Sequence, residues 1–358
     1  MLYAGYTETH MNAFVLQEEE QIRQIRGAWS ELQRQIPYST LFHSFDLYDI
    51  WLKERNPEKE RPYLLCYGSR QKLLALLPCK LTDNGRLKLY LSGKADILGG
   101  LISGDWHRQV LYLGHIRELI TDDDNIKEVE FTNIRKSDPI LDQLPLVFRK
   151  QNPYIFRHDL HSWLDAKEYD EKRYLKHIPS KLYIKLKKTD SSIDSSAVFF
   201  ENDSAPFPDS ELKELLAKMS KHGIRSPDSY NEIITIIRHL YDLKKVTVAI
   251  QKGQNGDILS ATVLARLDKN SIMGWIDLYD PSIKRINIKN YLHIIDYASK
   301  RGLDFYLGTG LYDYKLYNFA PRTEGLYTFY VSKSPLAGLL YQAKKNLAHY
   351  LRSSGAKD

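Results

Sequence analysis

One order of secondary-structure elements occurs twice along this chain of 358 residues, and it constrains the fold more than any other feature. Each copy has strand patterns joined by tight turns, then a helical pattern, then a short buried strand. The first copy occupies 61–67, 72–81, 86–91, 106–120 and 127–133. The second occupies 246–251, 258–267, 271–279, 288–301 and 305–307. Strands and helices in this order predict a mixed α/β fold of the α+β type.

The repeat predicts two tandem domains, although the two copies share no obvious sequence. We expect an N-terminal domain at 1–165 and a C-terminal domain at 166–358, each with its own mixed, largely antiparallel sheet. A basic helical segment at 169–225 is expected to form a cleft with both domains. Within it, the stretch 189–210 is rich in Ser, Asp and Pro, which predicts an irregular connection.

The positive charge of the chain is concentrated in one segment. The net charge is +6, and the span 172–188 carries seven cations and no acid. These cations are Lys172, Arg173, Lys176, Lys181, Lys185, Lys187 and Lys188. Such a segment is either a solvated helix face or a surface that attracts the phosphates of a cofactor, a nucleotide, an RNA or a lipid headgroup.

Several functional classes lack support in the sequence. The two cysteines, Cys66 and Cys79, form no CxxC pair and predict no zinc site, and the triplet 122–124 of aspartates fits an exposed turn better than a metal loop. No GxSxG motif occurs, so hydrolase chemistry has no support. The amino terminus lacks a signal-peptide pattern, and the apolar runs are shorter than a membrane span. We therefore expect a soluble, cytoplasmic protein without a metal.

A series of short motifs follows one order along the chain. They are Phe42-His43-Ser44-Phe45-Asp46 with Trp51, Leu73-Leu74-Ala75-Leu76-Leu77-Pro78, Leu89-Tyr90-Leu91-Ser92-Gly93 with Ala95-Asp96, Tyr279-Asp280-Pro281, Gly302-Leu303-Asp304-Phe305 and Gly310-Leu311-Tyr312-Asp313-Tyr314-Lys315. In this order they resemble the cellulose-biosynthesis acetyltransferase (CelD/BcsL) family, which belongs to the GNAT-like acyltransferases and is related to the Fem-type aminoacyl ligases.

The resemblance implies two fused GNAT-like domains, of which the second holds the reaction site. It also implies an N- or O-acyltransferase that uses acetyl-CoA or another acyl-CoA. The acceptor would be an amine or hydroxyl of a sugar, a polysaccharide precursor or a small molecule.

Four residues are candidates for catalysis. Asp280 ends a strand, where a carboxylate can accept a proton from the acceptor or can cap a turn before Pro281. Lys315 follows the glycine-bounded loop 308–310, where it can stabilise a developing oxyanion or a substrate phosphate, or can be a surface lysine without a role in the reaction. Tyr314 and Asp313 precede it in the motif that resembles the family and complete the candidate set.

The candidate donor site lies at the start of the helix after Asp280. GNAT domains that bind acetyl-CoA place a glycine-rich turn there, whereas the stretch 282–290 contains no glycine. We expect charge to compensate, and Ile286 and Ile288 to crowd a pyrophosphate. Asn287 is the residue expected to enter the left-handed region. The candidate cofactor-binding residues are Lys284, Arg285, Asn287, Lys289 and Asn290.

Two other functions remain open. A Fem-like transferase would take its aminoacyl group from tRNA for cell-wall synthesis, and the basic segment 172–188 would bind the RNA. A non-catalytic module would keep the GNAT-like fold for binding alone, as the glycine-free turn allows.

Overall fold

The computed structural model describes residues 11–169, 178–192, 195–224, 227–310 and 313–353. The strands in this part of the chain are β1 (Asn12–Leu16), β2 (Glu60–Gly68), β3 (Leu73–Thr82), β4 (Arg86–Leu89), β5 (Leu101–Ile102), β6 (Glu128–Arg135), β7 (Tyr154–Leu164), β8 (Ser195–Phe200), β9 (Val246–Gly253), β10 (Ile258–Arg266), β11 (Ser271–Tyr279), β12 (Asp304–Thr309) and β13 (Arg322–Ser332). The helices are α1 (Glu19–Gln24), α2 (Arg26–Gln35), α3 (Phe45–Glu54), α4 (Trp106–Asp122), α5 (Ile140–Val147), α6 (Ser180–Ser192), α7 (Asp209–Lys221), α8 (Pro227–Asp242), α9 (Ile286–Lys300), α10 (Asp313–Phe319) and α11 (Pro335–Ser353).

All of these strands belong to one mixed sheet. Its order is β1-β2-β3-β4-β6-β13-β7-β12-β11-β10-β9-β8, and β5 pairs with β3 at the side. Most pairs are antiparallel, while β4 with β6 and β11 with β12 are parallel. The predicted fold class, mixed α/β with largely antiparallel pairing, is therefore confirmed.

The repeated order of elements is also confirmed. In the first half β2, β3 and β4 lead through α4 to the parallel strand β6, and in the second half β9, β10 and β11 lead through α9 to the parallel strand β12. The helix carries the chain back to the start of the next strand, as a parallel connection requires.

The expectation of two separate sheets is wrong. β13, from the end of the chain, lies between β6 and β7 and is antiparallel to both, and β7 pairs in turn with β12. β13 therefore lies between the strands of the first half and those of the second half, and it joins them into one sheet. The domain boundaries at 1–165 and 166–358 stay a prediction.

The predicted irregular connection at 189–210 contains a strand. This strand, β8 (Ser195–Phe200), pairs antiparallel with β9 at the edge of the sheet. Its last residues are apolar and pack there, and the ring of Phe199 stacks on that of Tyr297. The amphipathic stretch 18–35 forms two helices, α1 and α2, which meet at Ile25. The helix of the basic segment begins at Ser180, directly after Pro179, and residues 170–177 lie outside the described part.

Two apolar clusters form the core, and the smaller one positions the second half of the molecule. It contains buried side chains of α9, including Tyr291, Leu292 and Ile295, which pack against Phe305 and Leu307 of β12. Because α9 is fixed along this face, its first turn lies at the carboxyl ends of β11 and β12. Among the described helices, none has the length and apolar character needed to cross a bilayer.

Candidate active site

The parallel strands β11 and β12 separate part of the way along their length. Their ladder joins Ser271, Ile272 and Met273 to the first three residues of β12, and both strands continue beyond it, to Tyr279 and Thr309. Carboxyl ends of strands in α/β sheets are the usual place for ligands. The separation therefore marks a candidate cleft between these two ends.

A carboxylate from the first half of the chain fixes the loop after β12. Asp96 accepts hydrogen bonds from the backbone N–H of Thr309 at 3.0 Å and from its hydroxyl at 3.2 Å. Gly308, at φ +77°, allows this approach, since a Cβ there would lie 2.8 Å from the Asp96 carboxylate and 2.9 Å from the carbonyl oxygen of Gly274. Burial raises the pKa of Asp96, although the Thr309 bonds oppose the shift.

Lys315 extends into the same region from α10. Its side chain is 3% exposed, and its Nζ donates to the carbonyl oxygen of Thr309 at 2.8 Å. Burial lowers the pKa of Lys315, while the negative charges of Asp277, Asp96 and Asp159 act in the opposite direction. A buried ammonium among carboxylates is a site where charge interactions are stronger than in water.

A polar network borders Lys315 on the β11 side. Asp277 accepts a hydrogen bond from the Thr262 hydroxyl at 2.7 Å and another from the hydroxyl of Tyr291. The side-chain amide of Asn290 donates to the same Thr262 hydroxyl at 2.8 Å. Asn290 was predicted at the donor site, but it is buried and directed into this network.

A histidine of β7 lies between Thr309 of β12 and Glu324 of β13. His161 of β7 pairs with Thr309 on one side and with Glu324 on the other, and its ring stacks on Tyr306 with centroids 4.9 Å apart. Its Nδ1 lies 4.0 Å from a carboxylate oxygen of Glu324. Burial lowers the pKa of His161, which favours the neutral imidazole.

The first turn of α9 differs from the turn predicted from the sequence. Arg285, not Asn287, takes the left-handed conformation, at φ 66° and ψ 19°, and the helix begins at Ile286. Ile286 and Ile288 are buried in the core and do not crowd the turn, so that expectation is wrong. The bend falls before Ile286 because this side chain must enter the core.

The residues predicted to bind the donor therefore fall into an exposed group and a buried group. Lys284 and Arg285 are exposed at the start of the helix, and Asn287 is partly exposed, with its side-chain oxygen accepting from the N–H of Ile288 at 2.9 Å. Lys289 is buried, as Asn290 is. The helix N-terminus therefore presents two cations in place of the missing glycines.

Asp280 occupies a turn at the end of β11. Its carboxylate accepts from the N–H of Ser282 at 3.0 Å and from the Ser282 hydroxyl at 2.6 Å, and it lies 3.3 Å from Nζ of Lys218. Burial raises the pKa of Asp280, but the bonds from Ser282 and Lys218 outweigh it, so the net shift is downward. A carboxylate of this kind is a weak base. Its catalytic role stays a prediction.

The remaining predicted residues, Asp313 and Tyr314, begin α10, and their side chains lie outside the described part of the structure. Asp277 and His161 are in none of the sequence motifs, and Asp96 is in one of them but is not among the predicted site residues. Asp277 interrupts an otherwise apolar buried strand, which is a signal for a functional carboxylate. Within the described residues, no group of three or more His, Cys, Asp or Glu side chains has the arrangement of a metal site.

Comparisons with known proteins show the fold. No family model matches the sequence, and a search of curated proteins gave no match. Among solved structures, the chain is similar to FemX, with a TM-score of 0.61 and 9% identity over 92% of this chain and 99% of that chain. L-PGS from Bacillus licheniformis has a TM-score of 0.57 and 13% identity, covering 92% of this chain and 96% of that chain.

A tandem GNAT protein from the clavulanic acid biosynthesis pathway is similar as well, with a TM-score of 0.54 and 12% identity over 91% of this chain and 99% of that chain. The chain therefore has a GNAT-like fold. Identities this low show the fold alone, and they do not show the CelD/BcsL family.

Proposed function

We propose that this chain is an acyltransferase whose reaction site is the cleft where β11 and β12 separate. The observation that carries the proposal is the buried Lys315, held on the Thr309 carbonyl among the carboxylates of Asp96 and Asp277. A cation fixed in a water-poor site is suited to a reaction that develops negative charge on a carbonyl oxygen.

The proposed reaction needs no covalent enzyme intermediate. The amine or hydroxyl of the acceptor attacks the thioester carbonyl of an acyl-CoA, and the Lys315 ammonium stabilises the oxyanion. The carbon–sulfur bond then breaks, and coenzyme A leaves as the thiolate. The acceptor's proton passes to a carboxylate, for which Asp96 is better matched than Asp280, because burial raises the pKa of Asp96.

The start of α9 supports an acyl-CoA as the donor. This helix has 15 residues, and its N-terminus carries partial positive charge and backbone N–H groups. Lys284 and Arg285 are exposed there and can hold a pyrophosphate by charge-assisted hydrogen bonds. A saccharide, polysaccharide precursor or small-molecule acceptor, as in the CelD/BcsL family, remains part of this proposal.

Thermal unfolding with acetyl-CoA tests the donor. A ligand that binds the folded state raises the midpoint by mass action, and we expect this rise for the wild type. We expect a smaller rise for Arg285→Glu, with a difference that shrinks as salt increases. Lys300→Glu, at the exposed far end of the same helix, is the matched control. Absence of any rise in the wild type would reject the acyl-CoA donor.

A second candidate function is aminoacyl transfer from tRNA. Lys181, Lys185, Lys187 and Lys188 are exposed on α6, within the predicted basic segment, and FemX and L-PGS share the fold. An RNA held by these lysines would dissociate steeply with increasing salt. Tight tRNA binding that is lost in a Lys181→Glu and Lys187→Glu double variant, without acetyl-CoA binding, would favour this candidate.

A further inference from the structure

The C-terminal helix α11 has its more apolar face turned outwards. The inner face packs through Tyr341, whose ring stacks on Tyr330 with centroids 3.6 Å apart and whose hydroxyl donates to Glu130 at 2.7 Å. Asn346 accepts from the Tyr154 hydroxyl at 2.7 Å. The inner contacts are thus aromatic and polar, and they attach the helix to the sheet.

The outer face carries a stripe of leucines. Leu336, Leu339, Leu340 and Leu347 are 67%, 63%, 62% and 59% exposed, and their spacing places them on one side of the helix. Helices of globular proteins normally turn such a stripe towards the core. An apolar stripe of this length on the outside indicates an interaction surface.

The charge around the stripe favours an anionic partner. The sequence from 325 to 357 contains five cations and no Asp or Glu, and Lys344 is exposed on α11 between Leu340 and Leu347. An open cavity of about 300 Å³ adjoins the first turns of the helix and is lined by Lys150, Lys333 and Leu339, among others. The ammonium of Lys333 also donates to the carbonyl oxygen of Asp123 at 2.7 Å.

We propose that α11 lies on an anionic lipid surface, with its leucine stripe in the acyl-chain boundary and Lys344, beside the stripe, at the headgroups. Amphipathic helices with leucine on one face and Lys or Arg nearby bind membranes in this manner without spanning them. Anionic headgroups attract each cation that lies close to the surface. The cavity between Lys150 and Lys333 offers a place for one headgroup phosphate.

A second copy of the chain fits this surface less well. A helix of 19 residues is about 28 Å long at 1.5 Å per residue, and one face about 10 Å wide covers roughly 300 Å². A stable interface needs about 800 Å² from each partner.

Co-sedimentation of the full chain with vesicles tests the proposal. We expect at least about tenfold stronger binding to phosphatidylcholine vesicles that contain about 30% phosphatidylglycerol than to pure phosphatidylcholine, and weaker binding at high salt. The double variant Leu339→Ser, Leu340→Ser should lose this binding. Because both side chains are exposed, the variant should keep the wild-type unfolding midpoint. Leu243→Ser, at an exposed leucine after α8, is the matched control and should bind as the wild type does.

Three results would overturn the proposal. The first is wild-type binding that does not differ between the two kinds of vesicle. The second is a double variant that binds anionic vesicles as well as the wild type does. The third is a wild type that sediments as a dimer and a double variant that sediments as a monomer, which would assign the stripe to a second copy of the chain.

Discussion

Replacing Asp138 by Asn should change how the stability of the protein depends on pH. Asp138 is 2% exposed in the turn between β6 and α5, and one carboxylate oxygen accepts from the N–H of Ile140 at 3.0 Å. Burial raises the pKa of Asp138 to about 7 from its ordinary value of 3.8, while the Ile140 bond and the charge of Arg135 oppose the shift. Asn keeps the oxygen acceptor and removes the titration.

The sign and size of the effect follow from proton linkage. The folded protein holds a proton on Asp138 that the unfolded chain releases, so this stabilisation is complete below pH 3.8 and is lost as pH rises through about 7. From pH 5 to pH 7 the loss covers about two pH units at 1.36 kcal/mol each, or about 2.7 kcal/mol. The Asn variant should escape this loss.

Urea unfolding at pH 5 and pH 8 measures the effect. Burial lowers the pKa of the nearby His43 to about 3, which gives a pH dependence of the opposite sign. This contribution occurs in both proteins, and the difference between them isolates Asp138. The variant should gain about 2.7 kcal/mol relative to the wild type between the two pH values. Asp142→Asn, an exposed aspartate in α5, is the control. Parallel profiles for wild type and Asp138→Asn would refute the reasoning.

Two further substitutions test the geometry of the cleft. Gly308→Ala should lower the free energy of unfolding by more than about 1 kcal/mol, because the new Cβ would clash with Asp96 and the Gly274 carbonyl and because alanine is strained at a left-handed φ. Gly93→Ala, at φ +85° with open space around it, should show the cost of the backbone strain alone. Equal losses in urea unfolding would contradict the close approach. Tyr291→Phe should cost about 1–3 kcal/mol in the same assay, since it removes a donor from the carboxylate of Asp277. An unchanged midpoint would exclude that hydrogen bond.

The sequence predicted elements whose signals are local. The turn at 83–85 and the alternation on either side of it specify the β3–β4 hairpin. Ser44, a residue type that favours helix N-caps, accepts from the N–H of Leu47 at the start of α3. The position of β13 between β6 and β7 depends on pairings with strands more than 150 residues away in the chain. No local sequence pattern identifies a partner strand that is so distant in the chain.

The candidate site, too, could be predicted from the sequence only in part. Lys315 was found through its motif, but the contact of Asp96 with Thr309 joins residues 213 positions apart and follows from the fold alone. The left-handed turn fell on Arg285 because the burial of Ile286 decides where α9 begins, and this outweighs the intrinsic preference of Asn287 for that region.

The most direct test of the proposed function is the rate of acyl transfer from acetyl-CoA to a panel of amine and hydroxyl acceptors, measured as thiol release by the wild type and by Lys315→Met. Met keeps much of the volume of the buried side chain and removes the charge. We predict that the variant binds acetyl-CoA with the wild-type Kd and transfers about 100- to 1,000-fold more slowly, as expected when an oxyanion-stabilising group is lost. Transfer by Lys315→Met at the wild-type rate, with the fold intact, would contradict the assignment of Lys315 and of the β11–β12 cleft as the reaction site.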